Sequence, residues 1–273
     1  MFHVEHFACQ MEREERKTKI ITVANQKGGV GKTTTSVNLC ACLAQQGKKI
    51  LLLDIDPQGN ATGGLGIEKS NSRVSLYDAL ICDAPIEDAI LPTMLESLFI
   101  VPSHIEMAGA EVELVNTMAR EQKLKQALQP VLGQYDYVFI DCPPSLGLLT
   151  LNALTAADAL LVPIQCEYYA LEGLSQLMNT VRLVRRNLNA SLDLHGVVMT
   201  MFSMRANLCT QVVAEVKKYF KQLVYDTMIP RSIRLGEAPG FGLPISLYAP
   251  KNVGARAYAE LAREFIEREE KHG

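Results

Sequence analysis

Two lysines five positions apart, a run of glycines between them and three aspartates further along are the residues of this chain best suited to phosphate chemistry. The segment from Asn25 to Thr35 reads NQKGGVGKTTT. Gly28, Gly29 and Gly31 let the backbone turn sharply and aim successive N–H groups inward. The start of the helical pattern that follows adds partial positive charge at the same place. Lys32 is placed to reach the outer phosphates of a nucleotide, and Thr33 to give its hydroxyl to a magnesium ion, which takes oxygen ligands. Val30 and Thr34 complete the loop. The generic spacing GxxxxGK[ST] would put its first glycine at position 26, which is Gln26. A second lysine, Lys27, stands before the glycines instead.

Asp54 and Asp56 lie in LLLDIDPQGN and Asp141 in YVFIDCPPS, each at the end of an apolar, strand-like run. Ligands of doubly wound sheets gather at the carboxyl ends of the strands, so the three acids are expected around the loop that follows the first strand. One aspartate at a strand end is as well explained by a turn or a helix cap. Three beside a phosphate loop are not.

These residues need a frame to hold them. Short runs rich in Ile, Val and Leu alternate with longer helix-periodic stretches, the pattern of an α/β, mainly parallel, doubly wound sheet with helices on both faces. Strands are expected near Ile20–Ala24, Ile50–Asp54, Leu98–Val101, Tyr137–Asp141, Ala159–Pro163, Leu194–Thr200 and Leu223–Ile229. The clearest helices are expected over Thr34–Gln46, Glu111–Gln129, Leu171–Asn187, Leu208–Phe220 and Val253–Glu270. No linker or repeat divides the chain, so residues 19–273 read as one domain and the charge-rich residues 1–18 as a flexible extension.

The chain has 273 residues, of which 48% are hydrophobic and 21% charged, the composition of a globular protein. No apolar stretch approaches the length of a membrane span. The seven cysteines are scattered, with no zinc spacing, which fits a reduced cytoplasm. The net charge of −3 hides an asymmetry. Residues 1–181 carry a net −8, residues 182–256 a net +7 and the tail a net −2. Arg205, Arg231, Arg234 and Lys251 fall in predicted loops of the basic segment and are candidates for nucleic-acid phosphate contacts. No helix-turn-helix or ribbon reader accompanies them, which points to backbone contact without base readout.

The form KGGVGKTT, together with LLLDIDPQGNATGGLG, YDYVFIDCPPSLGLLTLNAL, PIQCEYYALEGL and IPRSIRLGEAPGFGLPI, resembles the ParA (Soj-type) partitioning ATPases, P-loop NTPases of the SIMIBI group with a deviant Walker A loop. The resemblance runs from about Lys19 to Glu269. It implies ATP and Mg²⁺ as ligands, with Gly28 to Thr34 cradling the phosphates. It further implies a homodimer on ATP binding in which Lys27 crosses to the partner's nucleotide. Asp56 would orient the attacking water and Asp141 support the magnesium shell, with Asp54 a magnesium-shell or switch residue and Pro230 an adenine contact. It implies non-specific binding of double-stranded DNA by the dimer, slow basal hydrolysis and a ParB-type partner that stimulates it, in a nucleoid-associated protein of the bacterial cytoplasm. The Arg205 region, Ser203-Met204-Arg205-Ala206, departs from the family pattern. A MinD-like membrane-associated ATPase is the alternative, but it calls for a basic amphipathic tail, whereas EFIEREEKHG is mainly acidic. An iron–sulfur carrier of the nitrogenase type would need interface cysteines, for which Cys142 is the one candidate.

Overall fold

The computed structural model describes residues 18–68, 74–167 and 170–272; the extension expected over the first residues lies outside them, apart from Thr18. That residue belongs to the body. Its hydroxyl donates to the Tyr135 carbonyl at 2.7 Å and accepts from the Gly133 N–H at 2.7 Å.

In chain order the elements are β1 (Lys19–Val23), α1 (Lys32–Gln45), β2 (Ile50–Asp54), α2 (Asn60–Gly64), α3 (Leu76–Ile81), β3 (Leu91–Pro92), β4 (Leu98–Val101), α4 (Met107–Glu113) and α5 (Lys123–Leu128). There follow β5 (Tyr137–Asp141), α6 (Leu148–Ala156), β6 (Ala159–Gln165), α7 (Ala170–Asn187), β7 (Asp193–Thr200), α8 (Asn207–Phe220), α9 (Ile233–Glu237), α10 (Ile245–Tyr248) and α11 (Val253–His272). The strands form one sheet in the order β3-β4-β2-β5-β1-β6-β7, parallel throughout except for β3 against β4. The middle strands, ILLLD and YVFID, are buried along their whole length, as a strand covered by helices on both faces must be. One apolar core holds Leu51, Val138 and Leu160 under α3 to α8; the other holds Ile21, Leu52 and Phe139 under α1, α10 and α11.

Two sequence expectations need correction. The helix expected over Glu111–Gln129 is broken: α4 ends in a 3-10 turn at Leu114–Asn116, Ala119 has φ 51°, and α5 starts only at Lys123. Asn152 on α6 takes up the backbone groups that the break leaves over. Its amide donates to the Arg120 carbonyl at 2.7 Å and its oxygen accepts from the Leu124 N–H at 3.1 Å. The strand expected over Leu223–Ile229 is only an extended segment that bridges the edge strand at Val197–Val224. The N–H groups of Asp226 and Thr227 donate to the Glu264 carboxylate on α11 instead of to β7, and Pro230 has no N–H to give.

Helix α11 seats on the sheet through His195 of β7. The imidazole stacks on Phe265 with ring centroids 4.5 Å apart, lies 2.9 Å from a Glu269 carboxylate oxygen and 2.8 Å from the Tyr225 hydroxyl. A carboxylate only accepts, so Nε2–H donates to Glu269 and Nδ1 accepts from Tyr225. Burial holds the His195 pKa below its ordinary value, opposed by Glu269. The unfolded chain therefore takes up a proton near pH 6.5 that the folded chain refuses, and stability falls as pH drops below that value. Urea unfolding at about pH 7.5 and about pH 5.5 is expected to show a loss of up to roughly 1.4 kcal/mol that His195→Gln removes.

Candidate active site

The loop after β1 is fixed before any ligand is considered. The Asn25 side chain donates to the Pro163 carbonyl of β6 at 2.8 Å, and its oxygen accepts from the Lys27 N–H at 3.0 Å. Gly29 and Gly31 have φ of 74° and 88°, the left-handed region that a side chain would strain, and Gly31 leads directly into α1. Thr200, the last residue of β7, donates to the Val30 carbonyl at 2.8 Å and closes the loop from the other side. What remains is a cleft of about 380 Å³ over the start of α1, a volume suited to a small-molecule ligand. Gly28, Gly29, Gly31, Lys32, Thr33 and Thr34 form its floor, and Asp56, Asn60 and Pro144 stand on its walls. The far wall is Met201, Ala238, Pro239 and Leu243.

Lys32 is buried and its ammonium donates to the Lys27 carbonyl at 3.0 Å. Burial lowers its pKa, opposed by the charges of Asp141, Cys142 and Asp56. Lys27 behaves differently. It is not among the residues that line the cleft, and its ammonium pairs with Glu167, in the turn after β6.

The parallel pairing of β2 with β5 sets Asp54 opposite Asp141. Both are fully buried, and burial pushes both pKa values up, followed for Asp141 by the charge of Asp54. Their hydrogen bonds differ. One Asp54 oxygen accepts from both the N–H and the hydroxyl of Thr62 at 2.8 Å, and the other accepts from the Asp56 N–H at 3.3 Å. Asp54 thus anchors the start of α2. Asp141 accepts from Ser36 at 2.8 Å through Oδ1, and the Thr33 hydroxyl also holds its pKa down. Its Oδ2 is buried with no hydrogen-bond partner among the described residues. An orphan carboxylate oxygen near a threonine hydroxyl is an oxygen-only donor set, which fits magnesium with most of its waters kept. Asp56 is 6% exposed, lines the cleft and is held by the Gln58 N–H at 3.0 Å.

Pro230 lies outside the cleft lining, where Met201, Ala238, Pro239 and Leu243 supply the apolar wall instead. Sequence reasoning also missed Ser36, Thr62 and Thr200, hydroxyls whose roles depend on which strand ends beside which. Cys142 is wholly buried and has no surface to offer a cluster shared between subunits.

The segments that carry the basic residues meet, and Arg234 lies on the short helix α9 and not in the loop expected for it. The Arg231 N–H donates to the Phe202 carbonyl at 3.2 Å, which brings it beside the segment carrying Arg205. Ser232 and Asn252 share a hydrogen bond at 3.0 Å, which brings Lys251 to the same loops. All four basic side chains are exposed; Arg234 also pairs with Glu237 at 2.7 Å. Met201 and Pro239, on the cleft wall, belong to the segments that carry Arg205 and Arg234.

Residues 18–194 match a family model described as AAA domain. The sporulation initiation inhibitor protein Soj of Bacillus subtilis (strain 168) is 61% identical over 246 residues, 90% of this chain and 97% of that protein. The chromosome partitioning protein ParA of Myxococcus xanthus (strain DK1622) is 54% identical over 251 residues, 92% and 89% of the two chains. Among solved structures, one described as cobyrinic acid a,c-diamide synthase from Mycobacterium smegmatis with bound ATP analog and magnesium superposes with a TM-score of 0.82 at 37% identity. It covers 94% of this chain and 97% of that one.

The Thr62 hydroxyl donates to Asp54 and accepts from the Ser103 N–H at 3.0 Å, so its loss strands the buried Ser103 N–H and leaves that Asp54 oxygen with the Thr62 N–H alone. Thr62→Ala is expected to lower the unfolding free energy by about 2–3 kcal/mol in urea titration, and Thr62→Ser by less than half of that.

Proposed function

Because the chain belongs to the Soj/ParA family of P-loop partitioning ATPases, we propose that it is an ATP-driven switch for DNA partitioning. ATP and magnesium occupy the cleft, and two copies close face to face over two nucleotides. The closed dimer holds duplex DNA without sequence preference until hydrolysis releases it. The observation that carries this reading is the divergence of the two loop lysines. Lys32 lines its own cleft, whereas Lys27 stands outside that lining and pairs with Glu167, which leaves it available to serve a neighbour's phosphates.

Within the cleft the loop N–H groups and Lys32 hold the phosphates. Thr33 and Asp141 would hold magnesium, which when bound neutralises charge on the phosphate oxygens. Asp56 accepts a hydrogen bond from a water and aims its oxygen at the γ-phosphorus. As that oxygen bonds to phosphorus, the bond to the β,γ-bridging oxygen breaks, ADP leaves with the electron pair, and the water's protons leave with the phosphate and the solvent. An aspartate is a weak base near neutral pH, so the unassisted rate is slow, and a ParB-type partner is the expected accelerator.

Arg205, Arg231, Arg234 and Lys251 form the DNA surface, and dimerisation doubles it. About four phosphate contacts per subunit give about eight in the dimer and a salt slope of about −7. The nucleoid is then the working location. The MinD-like alternative finds no support in α11, whose apolar stripe of Tyr258, Leu261, Ala262 and Phe265 is buried on the domain and leaves no face for lipid. Among the described residues no helix is long and apolar enough to cross a membrane.

Binding of sequence-scrambled duplex DNA, measured with ADP and with ATP and magnesium across a salt series, tests the reading. Binding is expected with ATP alone, to fall steeply with salt, and to be lost in Lys27→Ala. Arg234→Glu is expected to flatten the slope by about 2 in the dimer, one phosphate contact per subunit. A wild-type protein that ignores DNA in ATP and sediments with anionic vesicles would overturn the proposal in favour of the membrane-binding one.

A further inference from the structure

The ion pair between Lys27 and Glu167 has no part in holding a nucleotide in its own cleft, yet it is built with care. Both ends are rooted on β6. Lys27 is tied to it through Asn25, whose amide donates to the Pro163 carbonyl, and Glu167 follows the strand in a turn closed by its own N–H to the Gln165 carbonyl at 2.9 Å. The preceding Cys166 N–H donates to the Thr200 carbonyl at 3.2 Å, which fixes that turn against β7. The Lys27 backbone is further held by Lys32 at its carbonyl. The Lys27 side chain is held by Glu167. The two side chains are 38% and 29% exposed, and the Glu167 oxygen that faces the lysine is itself buried.

We propose that Glu167 is a positioning residue that holds Lys27 back in the single subunit, so that the dimer closes only when a partner's triphosphate competes the lysine away. This rests on the reading that Lys27 crosses to the partner. A carboxylate offers one negative charge, whereas ATP offers a γ-phosphate that ADP lacks, so the competition sets a threshold which ATP passes and ADP does not. Partly exposed ion pairs are weak, a factor of about three each. Two must break per dimer, and the factors multiply, so the dimerisation constant is lowered by roughly tenfold.

The test is the monomer–dimer equilibrium of the full chain by sedimentation, with magnesium and either a non-hydrolysable ATP analogue or ADP. Glu167→Gln is expected to strengthen dimerisation roughly tenfold with the ATP analogue and to bring a dimer with ADP into the measurable range. Glu167→Asp, which keeps the charge, is expected to stay near wild type, a rescue that a merely structural role would not give. On a Lys27→Ala background Glu167→Gln is expected to change nothing. If Lys27→Ala loses the dimer while Glu167→Gln leaves it unchanged or weaker, the restraint is wrong and the crossing lysine stands. Strengthening by Glu167→Gln that persists without Lys27 also overturns the restraint. If Lys27→Ala dimerises as wild type does, the crossing reading itself falls.

Discussion

The site depends on one pairing, that of β5 between β1 and β2. Parallel register sets Asp54 opposite Asp141 and Val23 opposite Asp141, so two buried carboxylates end level with the last residue before the phosphate loop. Like charges buried that close are unfavourable unless something answers them. Thr62 and the Asp56 N–H answer Asp54; Ser36, Thr33 and the buried Lys32 answer Asp141 only in part. The unfinished answer is the useful one, because it leaves a carboxylate oxygen for a cation and its waters. The start of α1 and the start of α2 are held by satisfying these two acids.

The same economy links the cleft to the basic surface. Met201 follows Thr200, which closes the phosphate loop, and it leads into the segment of Arg205. Ala238 and Pro239 follow α9, which carries Arg234. Both walls of the cleft therefore continue into the loops that present positive charge. Two C-terminal helices hold α1: Tyr258 of α11 lies 3.2 Å from the Thr35 hydroxyl, and the Ile245 N–H at the start of α10 donates to Asn38 at 2.6 Å.

Much of this was legible in the sequence because it is local. Glycines at 28, 29 and 31 followed by Lys32 and Thr33 make a phosphate loop from one short stretch of backbone, and apolar runs ending in Asp54 and Asp141 state where two buried strands stop. The errors came where distant groups intervene. A helical pattern over Glu111–Gln129 could not reveal that Asn152 would hold the chain open near Arg120 and Leu124. An apolar run at Leu223–Ile229 could not reveal that Glu264 would take the N–H groups a strand needs.

By itself, then, the sequence determined the phosphate loop, the strand-end acids and the doubly wound pattern, since each follows from spacing within a single segment. Only the tertiary structure decided which acid is satisfied and which is left open, which apolar residues line the cleft, and that the segments carrying four separated basic residues meet. It alone assigned Lys27 a partner at Glu167, 140 positions away. Hydrogen bonds and ion pairs act over a few ångströms of space, and only the folded sheet sets which residues come that close.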